Sequence, residues 1–226
     1  MPLARWKDLC LDVTAPLDAS PEPAFWAAAL GLRFVDGDRL VGDDPSQTVW
    51  LNEVPERKGV KNRVHLDVHA ASVEEIEALG ARPLSSPGQF RWTVMADPDG
   101  GEFCVFERAE PPTYRFYELV VDAVDHAAQT AWWQTVLGGE AGDDHRDFTW
   151  LEQVPGLPFE GIVFVPVPEP KTAKNRVHWD VTVDGSAGID ALVAHGATVL
   201  RAADDEIRWH VLADPEGNEF CAFVAD

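Results

Sequence analysis

Two histidines, His65 and His178, lie in a segment that the chain carries twice. The first copy reads Lys-Asn-Arg-Val-His-Leu-Asp-Val over residues 61–68, and the copy over residues 174–181 differs only by a tryptophan in place of the leucine. Because side chains alternate along a strand, each histidine shares a face with an aspartate two residues later, Asp67 or Asp180. Imidazole, carboxylate and thiol on one face of a sheet can hold a divalent ion, so this strand is the centre of a candidate site.

A second pair of segments follows the first at nearly the same offset. Residues 96–104 read Ala-Asp-Pro-Asp-Gly-Gly-Glu-Phe-Cys, and residues 213–221 read Ala-Asp-Pro-Glu-Gly-Asn-Glu-Phe-Cys. Proline at the second and glycine at the fourth position is typical of a type I turn, and a final strand follows it. Two matched pairs in the same order indicate an internal duplication with a period too long for a solenoid. We therefore expect two small domains, at 1–108 and 115–226, joined by a proline-stiffened linker at 109–114.

The elements that must position these residues are repeated as well. Alternation predicts a first strand over residues 8–13 with Asp8 on its polar face, and a matching strand over 116–121 with Glu118 in the same place. A Ser-Pro start predicts the helix that follows the first strand, and a capping box at Ser72 predicts the helix that follows the histidine strand. Each domain is thus predicted to contain two strand–helix–three-strand units, an α+β fold.

The composition and net charge of the chain indicate which partners and which cellular location to expect. The chain has 226 residues, and 39 acidic against 18 basic residues give a formal net charge of −21. Such a field repels phosphate backbones and anionic bilayers, so neither nucleic acid nor a membrane is an expected partner. Three cysteines form a poor disulfide framework, and no apolar leader precedes the first strand, so we expect a cytoplasmic protein.

The paired units, the strand-borne histidine after Asn-Arg-Val and the Asp-Pro-x-Gly turn resemble the vicinal oxygen chelate superfamily. This superfamily includes glyoxalase I, extradiol dioxygenases and bleomycin-resistance proteins, and the likeness is greatest to its glyoxalase-like domain branch. It extends over essentially the whole chain. The resemblance implies two tandem domains, each with a curved, cup-shaped sheet flanked by helices.

The resemblance also implies positions for metal ligands on the first, fifth and eighth strands of a domain, with the fourth contributing in glyoxalases. Carried over position by position, these are Asp8, His65, Cys104, Glu118, His178 and Cys221. The family glutamate of the eighth strand is replaced by cysteine here, and the fourth-strand positions, near Asn52 and Val165, offer no carboxylate. This departure argues against glyoxalase I activity itself. Within each repeat we expect the sets Asp8, His65 and Cys104, and Glu118, His178 and Cys221.

Several other residues are candidates for parts of the same site. Glu102 and Glu219 share a face with the cysteines two residues later and are predicted proton-transfer groups or substitute ligands. Ligand contacts are predicted for residues that are aromatic or lie beside the histidines, namely Trp50, Asp67, Trp92, Asp180, Trp209 and His210. Arg63 and Arg176 are interpreted as partners in ion pairs with Asp97 or Asp214, with anion recognition as the alternative.

Two functions follow from these residues. The first is a divalent-metal-dependent lyase or isomerase, using zinc, nickel, manganese or iron and acting on a substrate with adjacent oxygens. The second is a metal-free protein that sequesters a planar antibiotic or metabolite in an acidic aromatic pocket. A scaffolding role has no specific support in the sequence. No nucleotide cofactor is expected, and the chain is predicted to be a monomer or homodimer that binds a small molecule.

Overall fold

The computed structural model describes residues 1–144 and 147–225. In the first repeat the strands are β1 Arg5–Thr14, β2 Arg33–Val35, β3 Arg39–Val41, β4 Thr48–Val54, β5 Val64–Ala70, β6 Arg82–Pro83, β7 Thr93–Ala96 and β8 Glu102–Glu107. In the second they are β9 Phe116–Ala123, β10 Glu140–Asp143, β11 Thr149–Glu152, β12 Gly161–Pro166, β13 Val177–Asp184, β14 Thr198–Arg201, β15 His210–Ala213 and β16 Glu219–Ala225. The α-helices are α1 Glu22–Leu30, α2 Val73–Glu77, α3 His126–Leu137 and α4 Gly185–Ala194.

The described strands form two eight-stranded sheets, and each sheet combines halves of both repeats. The order in the first sheet is β14-β15-β16-β13-β1-β4-β3-β2, and in the second it is β10-β11-β12-β9-β5-β8-β7-β6. The first sheet thus joins the N-terminal half of one repeat to the C-terminal half of the other. A site on either sheet therefore draws its residues from both repeats.

In each sheet, the first strand of one repeat pairs antiparallel with the histidine-bearing strand of the other repeat. We call this pair of strands the seam. β1 pairs with β13, where Cys10 faces His178, and β5 pairs with β9, where His65 faces Val120 and Asp67 faces Glu118. Both seams contain an irregularity in register, between Trp6 and Leu9 in the first sheet and after Asp67 in the second. Such a bulge changes the direction in which neighbouring side chains point, and so affects which of them reach the candidate site.

Helices α1 and α3 tie the two sheets together through a buried aromatic core. Helix α3 contacts the second sheet, while its Trp133 packs on Trp179 and Phe220 of the first sheet at ring distances of 4.8 and 5.1 Å. In the symmetric arrangement α1 contacts β2 and β3, and its Trp26 packs on Phe103 of the second sheet at 5.3 Å. Trp133, Trp179, Phe103 and Phe220 are fully buried. The apolar faces of both sheets are buried in this core, and the polar faces carry the candidate functional residues.

The α+β fold and its repeated units are confirmed, with small differences at strand ends. Strands β3 and β4 begin and end at the predicted residues, whereas β7 and β15 begin three residues later than predicted, which places Trp92 and Trp209 just before them. The predicted capping interaction is present, since the Glu75 amide donates to Ser72 Oγ at 3.3 Å. Among the described residues, none of the helices combines the length and apolar character needed to cross a bilayer.

Candidate metal centre

The second sheet carries a cluster of three potential metal ligands, His65, Asp67 and Cys104, which we call the second cluster. One donor atom from each residue lies within 4.8 Å of the other two. Cys104 Sγ is 3.6 Å from His65 Nε2, and His65 Nε2 is 3.5 Å from Asp67 Oδ1. Strand β5 supplies the histidine and aspartate by alternation, and the parallel β8 sets Cys104 beside Asp67.

The first sheet carries the counterpart, Cys10, His178 and Asp180, which we call the first cluster. Its donor atoms also lie within 4.8 Å of one another, and the Cys10 thiol donates to Asp180 Oδ1 at 3.6 Å. The cysteine equivalent to Cys104 is Cys221 on β16, which pairs with Asp180 of β13 but lies outside the three-donor group. In the second sheet Val120 stands where Cys10 stands in the first.

The clusters do not follow the grouping expected within each repeat. Because β1 pairs with β13, Asp8 lies in the sheet of His178 and Cys221 rather than in that of His65 and Cys104. By the same exchange Glu118 lies in the sheet of His65. The expected sets Asp8, His65 and Cys104, and Glu118, His178 and Cys221, are therefore wrong as groups. Asp8 and Glu118 also lie outside the three-donor clusters, whose carboxylates are Asp67 and Asp180.

Burial sets the protonation of the cluster residues. It lowers the pKa of His65 to about 4, helped by nearby Lys61, and it lowers the pKa of His178 as well, so both imidazoles are neutral at pH 7. It also raises the pKa of Asp67, with Glu118 adding to the effect, and raises that of Asp180 to about 6. Burial and Asp180 together raise the pKa of Cys221 to about 12. A neutral imidazole is ready to bind a metal, whereas the thiols must lose protons when they bind one.

Lys7 and Tyr117 occupy equivalent positions on β1 and β9 and make the two sheets different. The Lys7 ammonium pairs with Asp8, lies 3.8 Å from Asp180 Oδ2 and sits 4.4 Å above the Phe223 ring. An internal cation therefore neutralises the acidic groups around the first cluster. Tyr117 instead stacks on His69 at 4.3 Å, which leaves the second cluster without an ammonium in that place.

Glu118 is positioned to exchange a proton near neutral pH. Its pKa is raised from 4.5 to about 7, first by burial and then by the nearby Glu160. Across the seam it faces Asp67, whose own pKa is raised by the same carboxylate. A carboxyl group that titrates near the working pH is suited to general acid–base chemistry.

Glu118→Gln should raise stability at alkaline pH. The folded protein holds the Glu118 proton up to about pH 7, whereas the unfolded chain releases it near 4.5, so the wild type loses stability as the pH rises through this window. The variant lacks this loss and should be more stable at pH 8 by roughly 1–3 kcal/mol, with little difference at pH 4. Urea unfolding at the two pH values measures it. The exposed Glu77, replaced in the same way, is the control, and an equal effect there would contradict the assignment.

The repeated Lys-Asn-Arg segments join the two repeats, and both of them also line a cavity of about 740 Å³. Arg176 Nη2 pairs with Asp99 at 3.0 Å, and Arg63 Nη2 lies 3.6 Å from Glu216, so each arginine reaches the Asp-Pro-x-Gly turn of the other repeat. These partners lie two residues beyond Asp97 and Asp214, which makes the expected ion pairs with those aspartates wrong. The side chain of Asp97 instead accepts from the Gly101 amide at 2.6 Å.

Glu102 and Glu219 are held in matching clamps. Glu102 accepts from Lys58 Nζ at 2.9 Å and from the Asn62 amide at 2.9 Å. Glu219 accepts from Lys171 Nζ at 2.6 Å and from the Asn175 amide at 3.2 Å. These hydrogen bonds keep the pKa of Glu102 below its ordinary value despite partial burial. The arrangement favours a structural clamp, and a role in proton transfer stays a prediction.

Glu102→Gln should therefore lower stability rather than turnover. The change leaves the mostly buried Lys58 ammonium without its anion, which should cost about 2 kcal/mol of unfolding free energy. Glu219→Gln should cost a similar amount, because Lys171 is buried to the same degree. Urea denaturation gives the free energies. A Glu102→Gln protein that is as stable as wild type but has lost activity would identify Glu102 as a proton acceptor.

Aromatic side chains form a row along the polar face of the second sheet. Trp92 stacks between Phe90 and Phe106 at ring distances of 5.4 and 5.6 Å, and Phe106 meets Tyr117 edge-on at 5.2 Å. Beyond Tyr117 a cavity of about 490 Å³ opens, lined by His69, Arg108, Tyr114, Tyr117, Phe159 and Glu160 among others. The cavity reaches β5 at His69, which lies two residues after Asp67 of the second cluster.

The aromatic candidates of the first sheet are engaged differently. Trp50 donates to Asp8 Oδ2 at 3.0 Å and lies beneath Arg39, while Trp209 stacks on Phe223 at 5.4 Å. His210 pairs with Ala222, so it lies on the opposite face from Cys221, and its Nδ1 accepts from the Ala203 amide at 3.4 Å. A direct ligand contact by His210 has no support in this placement.

Two residues of the clusters' surroundings escaped the sequence analysis. Cys10 lies two residues after Asp8 and so shares its face of β1, but nothing in the sequence set it opposite a histidine. Lys7 was missed because regular alternation points it away from Asp8. The bulge between Trp6 and Leu9 brings the Lys7 ammonium to both Asp8 and Asp180. A bulge of this kind leaves no pattern that a single sequence reveals.

Comparison with known proteins agrees with this architecture. The model of the glyoxalase-like domain matches residues 8–106 and again 118–223, which together span most of the chain. The chain belongs to the glyoxalase-like domain family. No curated protein sequence matches it significantly.

Solved structures share the glyoxalase-like fold of the full chain. Glyoxalase I from Zea mays aligns over 98% of this chain and 92% of its own, with a TM-score of 0.67 and 16% identity. A protein from Bacillus subtilis described as a candidate dioxygenase aligns over 96% of this chain and 84% of its own, with a TM-score of 0.64 and 14% identity. At these identities the likeness is one of fold.

The donor set of the second cluster fits a divalent ion. Asp67 Oδ1 is buried and has no hydrogen-bond partner, an arrangement that costs free energy unless a cation or another donor satisfies the oxygen. A neutral imidazole, a carboxylate and a thiol match the preferences of zinc and neighbouring transition metals.

Proposed function

We propose that this glyoxalase-like protein is a divalent-metal-dependent lyase or isomerase whose working site is the second cluster. The observation that carries the proposal is the convergence of His65, Asp67 and Cys104 donors within 4.8 Å, with Asp67 Oδ1 left unsatisfied. Zinc, nickel, manganese and iron remain the candidate ions. The first cluster is less suited to a substrate because Lys7 fills its surroundings.

Three protein donors are the number that a catalytic zinc site uses when it keeps one position for water or substrate. Val120 supports this count, because it puts an apolar side chain where the first cluster has the thiol of Cys10. A bound ion would polarise adjacent oxygen atoms of a substrate. Glu118, which faces Asp67 across the seam, would accept and return a proton at the neighbouring carbon.

The aromatic row would hold the rest of the substrate. Phe106 and Tyr117 offer ring faces beside the cluster, and the 490 Å³ cavity beyond them is large enough for a small molecule. Arg108 and Glu160 at the cavity would orient polar groups. A compact molecule with adjacent oxygens and a planar or apolar body fits these surfaces best.

The alternative function is sequestration of a planar ligand without a metal. It is favoured by the partly exposed Trp92, which stacks with its neighbours in a nearly parallel row that a flat molecule could extend. On this alternative the second cluster binds no ion, and His65 Nε2 lies 3.5 Å from Asp67 Oδ1 and 3.6 Å from Cys104 Sγ. Ligand binding would then quench tryptophan fluorescence equally with and without chelator.

The test uses solvent exchange because the product is unknown. Chelator-treated protein is reloaded with each of the four metals and incubated in D₂O with a panel of small α-hydroxycarbonyl compounds, and deuterium entry next to the carbonyl is followed by NMR. We expect exchange that needs both metal and Glu118, and that falls at least about a hundredfold in Glu118→Gln. Metal-independent binding of planar compounds with no exchange on any panel member would establish the alternative. A cytoplasmic location and the monomeric or dimeric state stay predictions.

A further inference from the structure

The cavity of about 740 Å³ is lined by the same stretch of both repeats. Residues 54–63 read Val-Pro-Glu-Arg-Lys-Gly-Val-Lys-Asn-Arg, and residues 167–176 read Val-Pro-Glu-Pro-Lys-Thr-Ala-Lys-Asn-Arg. These two loops connect β4 to β5 and β12 to β13. The described residues that line this cavity are all different from those of the 490 Å³ cavity beside Tyr117, so it is a separate site.

Basic side chains are concentrated in the lining of this cavity. The whole chain has 39 acidic and 18 basic residues, whereas the described residues of the lining include four acidic and six basic ones. The basic residues are Arg57, Lys58, Lys61, Arg63, Lys174 and Arg176. The local balance of charge is therefore opposite to that of the chain as a whole, and it favours a small anion.

The lysines of the lining are already neutralised by carboxylates. Lys61 pairs with Asp122, and Lys174 pairs with Asp12. Lys58 belongs to one of the clamps described above. Positive charge that can attract a ligand must therefore come from the arginines.

Arg63 has one donor without a partner. Its Nη1 donates to the main-chain oxygen of Glu169 at 2.6 Å, and its Nη2 donates to that of Asp122 at 2.9 Å. Carbonyl oxygens carry no net charge, and the Glu216 carboxylate is 3.6 Å away, so the guanidinium charge is only partly neutralised. Arg63 Nε is buried and has no hydrogen-bond partner among the described residues, which costs free energy unless a ligand or water satisfies it.

Arg57 is the only difference in charge between the two loops. Pro170 occupies the equivalent position in the second repeat. Arg57 is exposed, and within the described part of the chain it forms no ion pair or hydrogen bond. Its guanidinium is therefore available to a ligand, and it adds to the charge of Arg63 in the same loop.

We propose that this cavity binds a small organic anion, a carboxylate or a phosphate monoester with a short apolar body. Arg57 and Arg63 hold the head group, because a guanidinium matches the geometry of both kinds of anion. Val54, Val60 and Val167 surround the apolar body, and the volume is typical of a small-molecule site. A polyanion stays excluded, because it would extend onto the acidic surface. The site does not depend on the function proposed for the second cluster.

Isothermal titration of the full chain with phenyl phosphate, benzoate, benzamide and inorganic phosphate tests the site. We expect one equivalent of phenyl phosphate or benzoate to bind, and the tighter of the two identifies the head group. Neutral benzamide and inorganic phosphate, which lacks the body, should bind at least about tenfold more weakly.

Two neighbouring replacements should change this affinity in opposite directions. Arg57→Gln should weaken the tighter anion by about fivefold, and Glu56→Gln should strengthen it by about threefold, because each side chain is exposed and lies in the same loop. Arg82→Gln removes an exposed arginine from β6, outside the described lining, and is the control that should leave the affinity unchanged. Circular dichroism verifies that each variant is folded.

Three results would overturn the proposal. The first is that neither phenyl phosphate nor benzoate binds, or that benzamide binds as tightly as they do. The second is an equal affinity of wild type and Arg57→Gln for the tighter anion. The third is inorganic phosphate binding as tightly as phenyl phosphate, which would contradict the role of the valines. Metal-dependent exchange at the second cluster is measured separately, so failure of the anion site leaves that function standing.

Discussion

His65→Gln should remove metal binding at the second cluster and all metal-dependent exchange. Glutamine keeps the size and polarity of the side chain but cannot supply the neutral imidazole nitrogen that lies 3.6 Å from Cys104 Sγ. Loss of an outer partner alone weakens metal affinity 10–100-fold, so loss of a ligand should weaken it by at least about a hundredfold. Isothermal titration of chelator-treated protein with Zn²⁺ measures the change.

His178→Gln is the matched control for that experiment. His178 has the same sequence neighbours but lies in the other sheet, so the second-cluster affinity should stay within about twofold of wild type. If the two replacements weakened exchange equally, or if only His178→Gln abolished it, the second cluster would not be the working site.

Cutting the linker should leave the two repeats in one folded particle. Each sheet contains strands from both repeats, so neither repeat can complete a sheet alone. A protease site in place of residues 109–112, which precede the contact of Thr113 with Gly31, should be cleavable without unfolding. After cleavage the fragments should co-elute in size-exclusion chromatography at about 1 μM, with unchanged circular dichroism.

A control variant distinguishes sheets shared between the repeats from surface ion pairs that merely hold the repeats together. Arg63→Ala and Arg176→Ala remove ion pairs between repeats but leave the seams β1–β13 and β5–β9 intact, so the nicked double variant should still co-elute. Separation of nicked wild type into two independently folded fragments would contradict the exchanged sheets and restore the picture of two self-contained domains.

Much of the fold could be predicted because local patterns determine it. Alternation located the histidine strands, and turn residues bounded β3 and β4 correctly. The assignment of partners could not be predicted, because β5 and β13 carry nearly the same sequence. Either strand offers β1 a histidine and an aspartate at the same positions, so the local pattern does not distinguish the two pairings.

The types of residue in the candidate site could be predicted from the sequence. Which individual residues come together in each cluster was harder to predict. His65 and His178 were expected from their repeated strands, and Cys104 and Cys221 from the family resemblance, although Cys221 lies outside the three-donor group of its sheet. The carboxylates of the clusters proved to be Asp67 and Asp180, because residues two apart on one strand stay adjacent whichever strand lies beside them.

The most direct measurement is an anomalous-difference map from crystals of the chelator-treated full chain soaked in Zn²⁺, recorded on both sides of the zinc absorption edge. The proposed function predicts a peak on the second sheet within bonding distance of His65, Asp67 and Cys104, which is absent from His65→Gln crystals. A map with no zinc at these residues, from crystals that bind zinc elsewhere, would contradict it.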